Sequence, residues 1–415
     1  MDRQAPGAGL VRGSGGSPVI PAGPWATLAV TLAIQAMVSM AVFSVPVLAP
    51  ELARLLGVSP SLVGPYVAIV YVGAIMASTL AGPLVLRYGA LRVSQCATLL
   101  CAAGLALLAT VPSIPAAIIG GLLVGPGCGP ITPASSHMLA RSTPAHRVSL
   151  VFSVKQTGVP LGGILAGALA PPLLIAAGLS FALWSVAAAC VVCVLLAQPL
   201  RGALDADREP SRALGMANLA GPISMVLRHP PLARLAASSF VFSAMQMSLA
   251  TYLVTYLNTT LGYSLVQAGA ALAFSQVGGV TGRILWGWIA DRWLGALRML
   301  AVVAAMMAVC AVCMSALGAG VPPVLLGVLL IAFGASATGW NGVYLAEVAR
   351  QAPPGMASTA TGGSLAVTFF GVVLGPLLFG GVAELFGSYR VGYVALAIPA
   401  AYCAWRLARP GRAEG

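Results

Sequence analysis

Two basic side chains stand inside apolar stretches of this chain, and their chemistry points to the binding of an anion. Lys155 is the only lysine among the 415 residues, and it lies in the segment FSVKQTGVPLGG. Arg283 lies in the apolar segment GGVTGRILWGW. A charge near the centre of a bilayer costs about 2.5–3.5 kcal/mol, so intramembrane charges usually line a cavity or a pathway. Two cations that face one cavity require a negatively charged partner.

The elements that must position these cations are membrane helices. Hydrophobic residues make up 59% of the chain, charged residues 7%, and the mean hydropathy is +0.96, which excludes a soluble domain. Apolar runs of roughly 20 residues, the length that crosses ~30 Å of hydrocarbon, recur along the whole sequence. The composition and the runs therefore predict an all-α membrane protein. The twelve predicted spans are 25–47, 61–85, 93–111, 115–139, 149–171, 179–198, 232–257, 264–290, 297–318, 321–347, 356–384 and 389–408.

A charged break divides the spans into two halves that resemble each other. GPLVLRYG begins at residue 82 and GWIADRWLG at residue 287, a shift of 287 − 82 = 205. ARSTP at 140 and ARQAP at 349 repeat with a shift of 349 − 140 = 209. Two pairs of similar segments, separated by nearly the same number of residues, indicate a parallel repeat of six spans. The predicted organisation is a disordered tail 1–24, a six-helix bundle 25–200, a central loop 201–231, a second six-helix bundle 232–408 and a tail 409–415.

The formal charge of +12 is explained by membrane orientation rather than by a nucleic-acid partner. With the N-terminus in the cytoplasm, 17 arginines fall on the cytoplasmic side, against Arg54 and Arg390 outside. Such an excess of basic residues is typical of cytoplasmic loops. The sequence predicts a multi-pass protein of the bacterial inner membrane with both termini in the cytoplasm and the lipid bilayer as its surroundings.

The repeated loops also carry a family resemblance. The pattern Gly-x-x-x-Asp-Arg after the second and eighth spans resembles the signature of the major facilitator superfamily. The resemblance implies a monomeric secondary active or facilitative transporter, in which two six-helix bundles alternate access to a central site. It also implies a cytoplasmic gate formed by Gly82, Arg87, Gly89, Gly287, Asp291 and Arg292. Two positions depart from the family pattern: Leu86 replaces the first Asp, and Gly121 replaces an arginine usual in proton-coupled members.

Spacing places the two cations at one depth. Lys155 lies eight residues after Arg147, and Arg283 lies eight residues before Asp291. At 1.5 Å per residue, each cation is roughly 12 Å along its helix from the cytoplasmic end. In the family's architecture the fifth and eighth helices meet between the bundles. Arg283 also resembles the substrate-anion arginine of monocarboxylate transporters and of the oxalate:formate exchanger.

Polar and aromatic residues of other spans are candidates to complete this pocket. Gln35, Tyr66, Tyr252 and Asn341 are the predicted substrate-binding residues besides the two cations. Further candidates are Ser39, Tyr71, Tyr256 and Trp340. His137, Glu347 and Glu384 lie near span ends, where a role in proton coupling and a solvated interfacial position both stay open. The sequence predicts no metal, no cofactor and no catalytic residue.

We therefore predict the transport of a small organic anion, most simply a carboxylate, with coupling to a proton or to an exchanged anion left open. Other interpretations of the same residues remain. Lys155 could extend its side chain to the cytoplasmic interface, and Arg283 could pair with Asp291 or with a carbonyl of a neighbouring helix. Both cations would then be structural, as in an exporter of hydrophobic drugs or metabolites. A membrane sensor that binds a ligand without transport is a further alternative.

Overall fold

The computed structural model describes residues 23–144, 147–211, 220–318, 320–354 and 356–409. Within these ranges the regular elements are helices, and no strand is present. Most of the two predicted tails, 1–22 and 410–415, lies outside the described residues. The helices are α1 (Pro24–Leu56), α2 (Val63–Tyr88), α3 (Ala90–Thr110), α4 (Ile114–Cys128), α5 (Ile131–Ser142), α6 (Val148–Gln156), α7 (Gly158–Ala197), α8 (Arg201–Leu204), α9 (Ala220–Arg228), α10 (Pro230–Thr259), α11 (Leu265–Ile289), α12 (Ala296–Ala316), α13 (Pro323–Gly339), α14 (Asn341–Gln351), α15 (Ala357–Leu385) and α16 (Tyr389–Ala408).

These helices make twelve passes, as the hydrophobic runs predict. Ten helical segments of the described chain are long and apolar enough to cross a membrane. One of them, residues 154–204, holds two passes, because α7 is kinked at Ala177 and at Gly178, which adopts φ 85°. α11 adds the twelfth pass, since its 25 residues reach about 38 Å at 1.5 Å per residue. The predicted all-α membrane fold with two groups of six spans is confirmed.

Several helix ends differ from the prediction by a few residues. The largest difference is in α1, which continues through Pro46 and Pro50 to Leu56 instead of ending near residue 47. Proline is tolerated within membrane helices because neighbouring groups satisfy the freed backbone. A related arrangement occurs where the fourth pass divides into α4 and α5. There Pro133 has no N–H to donate, and the Ser78 hydroxyl donates instead to the Gly129 carbonyl at 2.9 Å.

The first bundle comprises α1–α7 and the second α10–α16, and the two meet along α7 with α11 and along α2 with α15. Glycine makes the first of these contacts possible. The Gly167 and Gly269 carbonyl oxygens each lie where a Cβ of the other residue would have to be. Backbones of neighbouring membrane helices approach this closely only through small residues. We call the side that carries Gly23 and Arg409 the terminal face and the side that carries residues 57–62 and 386–388 the distal face.

Candidate functional site

Lys155 is buried at the end of α6 and does not reach the membrane interface. Its side chain is only 1% exposed. Its Nζ lies 3.5 Å from the Thr132 Oγ1 of α5 and 3.5 Å from the Gln156 Oε1, both at the limit of hydrogen bonding. This burial argues against a side chain that extends to the interface. Among the described residues the ammonium has only these two neutral, weak partners.

Arg283 lies across the boundary between the bundles. From α11 its Nη1 donates to the backbone carbonyl of Gln156 at 2.8 Å. Its Nε donates to the carbonyl of Thr338, near the end of α13, at 3.3 Å. Asp291 is exposed at the terminal face and forms no ion pair with Arg283 in the described chain. The guanidinium is therefore held by carbonyl dipoles rather than by the carboxylate of its own helix.

The two cations meet at one residue, Gln156. The Lys155 ammonium faces the side-chain oxygen of Gln156, and the Arg283 guanidinium donates to the backbone oxygen of Gln156. The sequences of α6, α7, α11 and α13 contain no Asp or Glu, and no salt bridge of the described residues includes either cation. Buried charges are normally paired, because their desolvation is otherwise uncompensated. The site therefore carries excess positive charge.

A neutral polar shell from the first bundle surrounds the ammonium. The Thr132 hydroxyl donates to Gln35 Oε1 at 3.4 Å, and Gln35 Nε2 donates to Ser39 Oγ at 3.3 Å. Gly158 allows this approach of α7 to α1, since a Cβ there would lie 2.8 Å from Gln35 Cγ. The structure thus brings Gln35 and Ser39 to the predicted site. Thr132 is exposed and Arg283 is half-buried, so the cluster is within reach of a small solute.

Thr132 and Gln156 were missing from the residues predicted by sequence. Each has a signal that could have identified it. Gln156 is an amide directly after the only lysine, within an apolar run, and Thr132 lies between Pro130 and Pro133 in another apolar run. Polar side chains inside membrane spans are costly and tend to face the interior of the bundle.

Other predicted site residues lie away from the cations. The Tyr252 hydroxyl donates to the backbone carbonyls of Ser61 at 2.8 Å and Pro376 at 3.1 Å, near the distal face. Tyr66 lines an apolar cavity of about 220 Å³ between α1, α2 and α4. Asn341 begins α14 and is half-buried. The structure gives these three residues no hydrogen bond to Lys155 or Arg283.

The remaining aromatic candidates have packing contacts or other partners. The Tyr256 hydroxyl donates to the Met314 carbonyl at 2.6 Å, within the second bundle. The Trp340 indole donates to Gln246 Oε1 at 3.1 Å, and Trp340 is 1% exposed. Tyr71 on α2 is half-buried. The candidate site is thus built from α1, α5, α6, α11 and α13, with helices of both bundles supplying groups.

Known proteins resemble this chain over most of its length. A sequence profile of the Major Facilitator Superfamily matches residues 31–364. The chain belongs to this superfamily. An uncharacterized MFS-type transporter of Mycobacterium tuberculosis is 27% identical over 360 residues, which cover 86% of this chain and 78% of that protein. A benzoate transport protein of Acinetobacter baylyi is 32% identical over 139 residues, 34% of this chain and only 29% of that protein's length.

Solved structures of transporters share the fold. The nucleoside transporter NupG superposes with a TM-score of 0.75 at 16% identity, covering 92% of this chain and 98% of that one. The peptide transporter POT in complex with sulfate gives a TM-score of 0.72 at 15% identity, covering 93% and 94%. These likenesses show the fold, and membership of the superfamily, which the sequence profile shows, makes this chain a transporter.

Both copies of the superfamily's loop motif lie at the terminal face, and several of their residues are exposed. In the second copy, Asp291 and Arg292 are exposed in a short π-helical turn, and Gly287 has open space beside its Cα. In the first copy, Gly82 is exposed, Arg87 lies beside the Tyr88 ring, and Gly89 ends α2 with φ 97°. Their role as a gate stays a prediction.

A carboxylate from the central loop lies beside the first motif, where Leu86 occupies the usual Asp position. The Asp205 carboxylate accepts the backbone N–H groups of Leu91 at 2.7 Å and Arg92 at 3.1 Å, at the start of α3. An acidic group is favourable at a helix N-terminus. Gly89 leaves the space that this carboxylate fills. Burial nevertheless raises the pKa of Asp205, and the two N–H groups oppose that shift.

The three titratable residues that the sequence left open have partners outside the cation site. His137 Nε2 lies 2.6 Å from Asp207 Oδ2, and Arg141 also pairs with Asp207. Glu347 is buried and pairs with Arg350. At the distal face, Glu384 accepts the hydroxyls of Ser59 at 2.7 Å and Ser61 at 2.5 Å, which joins the two bundles.

Proposed function

We propose that this superfamily transporter carries a small organic anion with a carboxylate group, bound between Lys155 and Arg283. The proposal rests chiefly on one observation: the buried Lys155 and the half-buried Arg283 converge on Gln156 and have no acidic partner among the described residues. The benzoate transport protein, similar over about a third of this chain, supports a carboxylate as the substrate.

The geometry favours unequal roles for the two cations. The Arg283 Nη2 donates no hydrogen bond among the described residues, so the guanidinium has N–H groups free for a carboxylate. Its planar fork matches a carboxylate in a bidentate manner, while the ammonium of Lys155 acts as a compact second charge. Thr132 and Gln35 provide neutral donors and acceptors for the rest of the ligand.

Binding would link the bundles, because Lys155 belongs to the first and Arg283 to the second. An anion with one carboxylate between them lowers the formal charge of the site from +2 to +1 in the membrane, where uncompensated charge is costly. We propose that this partial neutralisation lowers the barrier to rocking between states of alternating access. We further propose that the terminal face is cytoplasmic in a bacterial inner membrane, in line with the 17 arginines assigned to that side.

Transport in liposomes tests the proposal directly. Purified protein is reconstituted and assayed for uptake and counterflow of radiolabelled carboxylates, including benzoate, beside neutral and cationic solutes. We expect saturable transport of at least one carboxylate, and its loss in both Lys155→Gln and Arg283→Gln. Arg54→Gln is the matched control, since Arg54 is exposed and pairs with Glu51 outside the site. Counterflow without net uptake would identify an exchanger.

Folding must be preserved for this comparison, so each variant is first checked by size-exclusion chromatography and thermal unfolding. Transport of neutral or cationic compounds that survives both substitutions would refute the anion site. Lys155 and Arg283 would then be structural residues of a carrier with a different substrate class.

A further inference from the structure

A second group of cations surrounds a small pocket in the second bundle, at the terminal face. The pocket has a volume of about 30 Å³ and lies between α10, α12, α14 and α16. Three arginines line it, Arg234 at the start of α10 and Arg406 and Arg409 at the end of α16. None of them forms a salt bridge with another residue that the structure describes. Three guanidinium groups without a carboxylate favour a phosphate, which arginine binds in a bidentate manner.

Gln351 adds an unused acceptor to the same pocket. Its Nε2 donates to the Glu347 carboxylate, and because an ionised carboxylate only accepts, the amide orientation is fixed. The Gln351 Oε1 is consequently the other end of the amide, and it is buried without a hydrogen-bond partner among the described residues. A buried polar atom of this kind calls for an unobserved partner with a donor group. The pocket thus combines positive charge with one acceptor.

Aromatic side chains place the pocket at the level of lipid headgroups. The Arg409 guanidinium lies 3.7 Å above the Trp405 ring, a cation–π contact that holds it at the pocket. Trp405 is 49% exposed and Tyr402 is 54% exposed on the last turns of α16. Exposed Trp and Tyr at the end of a span typically lie at the membrane–water interface. A pocket at this depth is open to the headgroups of the bilayer.

We propose that this pocket binds the headgroup of an anionic glycerophospholipid of the phosphatidylglycerol type. The phosphate lies among Arg234, Arg406 and Arg409, and a headgroup hydroxyl donates to the Gln351 Oε1. Basic pockets between membrane helices on the cytoplasmic side bind anionic headgroups in this way. The inference concerns a surface away from Lys155 and Arg283, so it does not depend on the substrate.

Lipid binding to the purified protein tests this site. The protein is placed in nanodiscs of phosphatidylcholine with increasing fractions of phosphatidylglycerol, and bound lipid is counted by native mass spectrometry while the melting temperature is recorded. We expect retained phosphatidylglycerol and a melting temperature that rises with its fraction. The substitutions Arg406→Gln and Arg409→Gln should each weaken the binding of phosphatidylglycerol about fivefold. This corresponds to about 1 kcal/mol per basic residue at an anionic surface.

Controls separate this site from general charge attraction. Arg292→Gln, on the same face but outside the pocket, should retain full binding. Phosphatidylmethanol has the same charge without the headgroup hydroxyls, and it should bind the wild type more weakly than phosphatidylglycerol. This lipid comparison stays decisive even if an arginine variant does not fold.

Three results would overturn the proposal. The first is equal binding of phosphatidylglycerol and phosphatidylcholine, and the second is an equal loss of binding in Arg292→Gln. The third is full stabilisation by inorganic phosphate in phosphatidylcholine nanodiscs, which would assign the pocket to a free anion.

Discussion

A single methyl group added at Gly64 should disturb the contact between the two bundles at the distal face. This glycine lies at the start of α2, and a Cβ there would fall 2.7 Å from the Pro376 carbonyl oxygen of α15 and would also meet the Tyr252 hydroxyl. Ordinary contact begins near 3.4 Å, so the backbones must separate by about 3.4 − 2.7 = 0.7 Å. The phenol can move, but the carbonyl belongs to a helix backbone. Gly64→Ala should therefore push the two bundles apart at this face.

The cost can be estimated from the contacts that are lost. Overpacking at a tight site costs about 1–3 kcal/mol. The displaced Tyr252 hydroxyl, whose one proton is shared between the Ser61 and Pro376 carbonyls, loses about 1 kcal/mol in addition. If the contact exists only with the distal face closed, the total of about 2–4 kcal/mol shifts the equilibrium away from that state by about 30–700-fold, since about 1.4 kcal/mol is a factor of ten. The better helix propensity of alanine acts in both states and cancels.

Distances between spin labels can measure this shift. One pair at Leu62 and Phe386 reports on the distal face, and a second pair at Ala140 and Ala349 reports on the terminal face. All four side chains are exposed, and the eight native cysteines are replaced first. Gly64→Ala should lengthen the distal distances and shorten the terminal ones in double electron–electron resonance.

Gly381→Ala is the matched control, because no atom of the described residues lies within 4 Å of a Cβ at that position. Unchanged distance distributions in Gly64→Ala, with unchanged transport, would refute the idea that this contact opens during the transport cycle.

Three further outcomes are expected. Thr132→Val should raise the KM for the transported anion in liposome uptake, because Lys155 loses a hydroxyl partner. Thr132→Ser keeps the hydroxyl and should not raise it, and equal KM values for the two variants would contradict this role. Because burial raises the pKa of Asp205 above its ordinary value of 3.8, its contribution to stability is complete below that value and declines as the pH rises through the raised pKa. Asp205→Asn should abolish this part of the pH dependence of thermal unfolding, and an unaltered pH profile would argue against it. Ser61→Ala removes a hydroxyl that donates to Glu384, and it should increase the labelling of a cysteine introduced at the distal face by an impermeant thiol reagent. Labelling equal to that of Ser61→Thr would show that this hydrogen bond does not help to close the distal face.

The number and type of the helices could be predicted because the bilayer imposes a simple rule. Each span must be apolar and must satisfy its own backbone, so long apolar runs such as residues 389–408 identify helices with almost correct ends. The ends of α1 were less predictable. Pro46 and Pro50 are weak breakers where neighbouring helices supply partners, and α1 continues to Leu56.

Part of the candidate site was also predictable, since an unpaired charge in an apolar run is costly wherever the run packs. Lys155 and Arg283 were identified in this way, and the structure joins them through Gln156. Tyr252 could not be assigned from its type alone. A tyrosine in a span serves equally for a ligand or for packing, and here its hydroxyl connects α10 to the first bundle at Ser61.

By itself the sequence determined the class of protein, the twelve passes and the two cations, because these follow from hydrophobicity and from the cost of charge in lipid. Only the tertiary structure decided the partners of those cations. The residues Thr132 and Gln156 lie on different helices, 24 positions apart, and Arg283 is a further 127 positions along the chain. Residues so far apart in the sequence meet only if their helices are rotated correctly and lie close together. Packing at glycines such as Gly158 and Gly167 fixes both, and local periodicity does not.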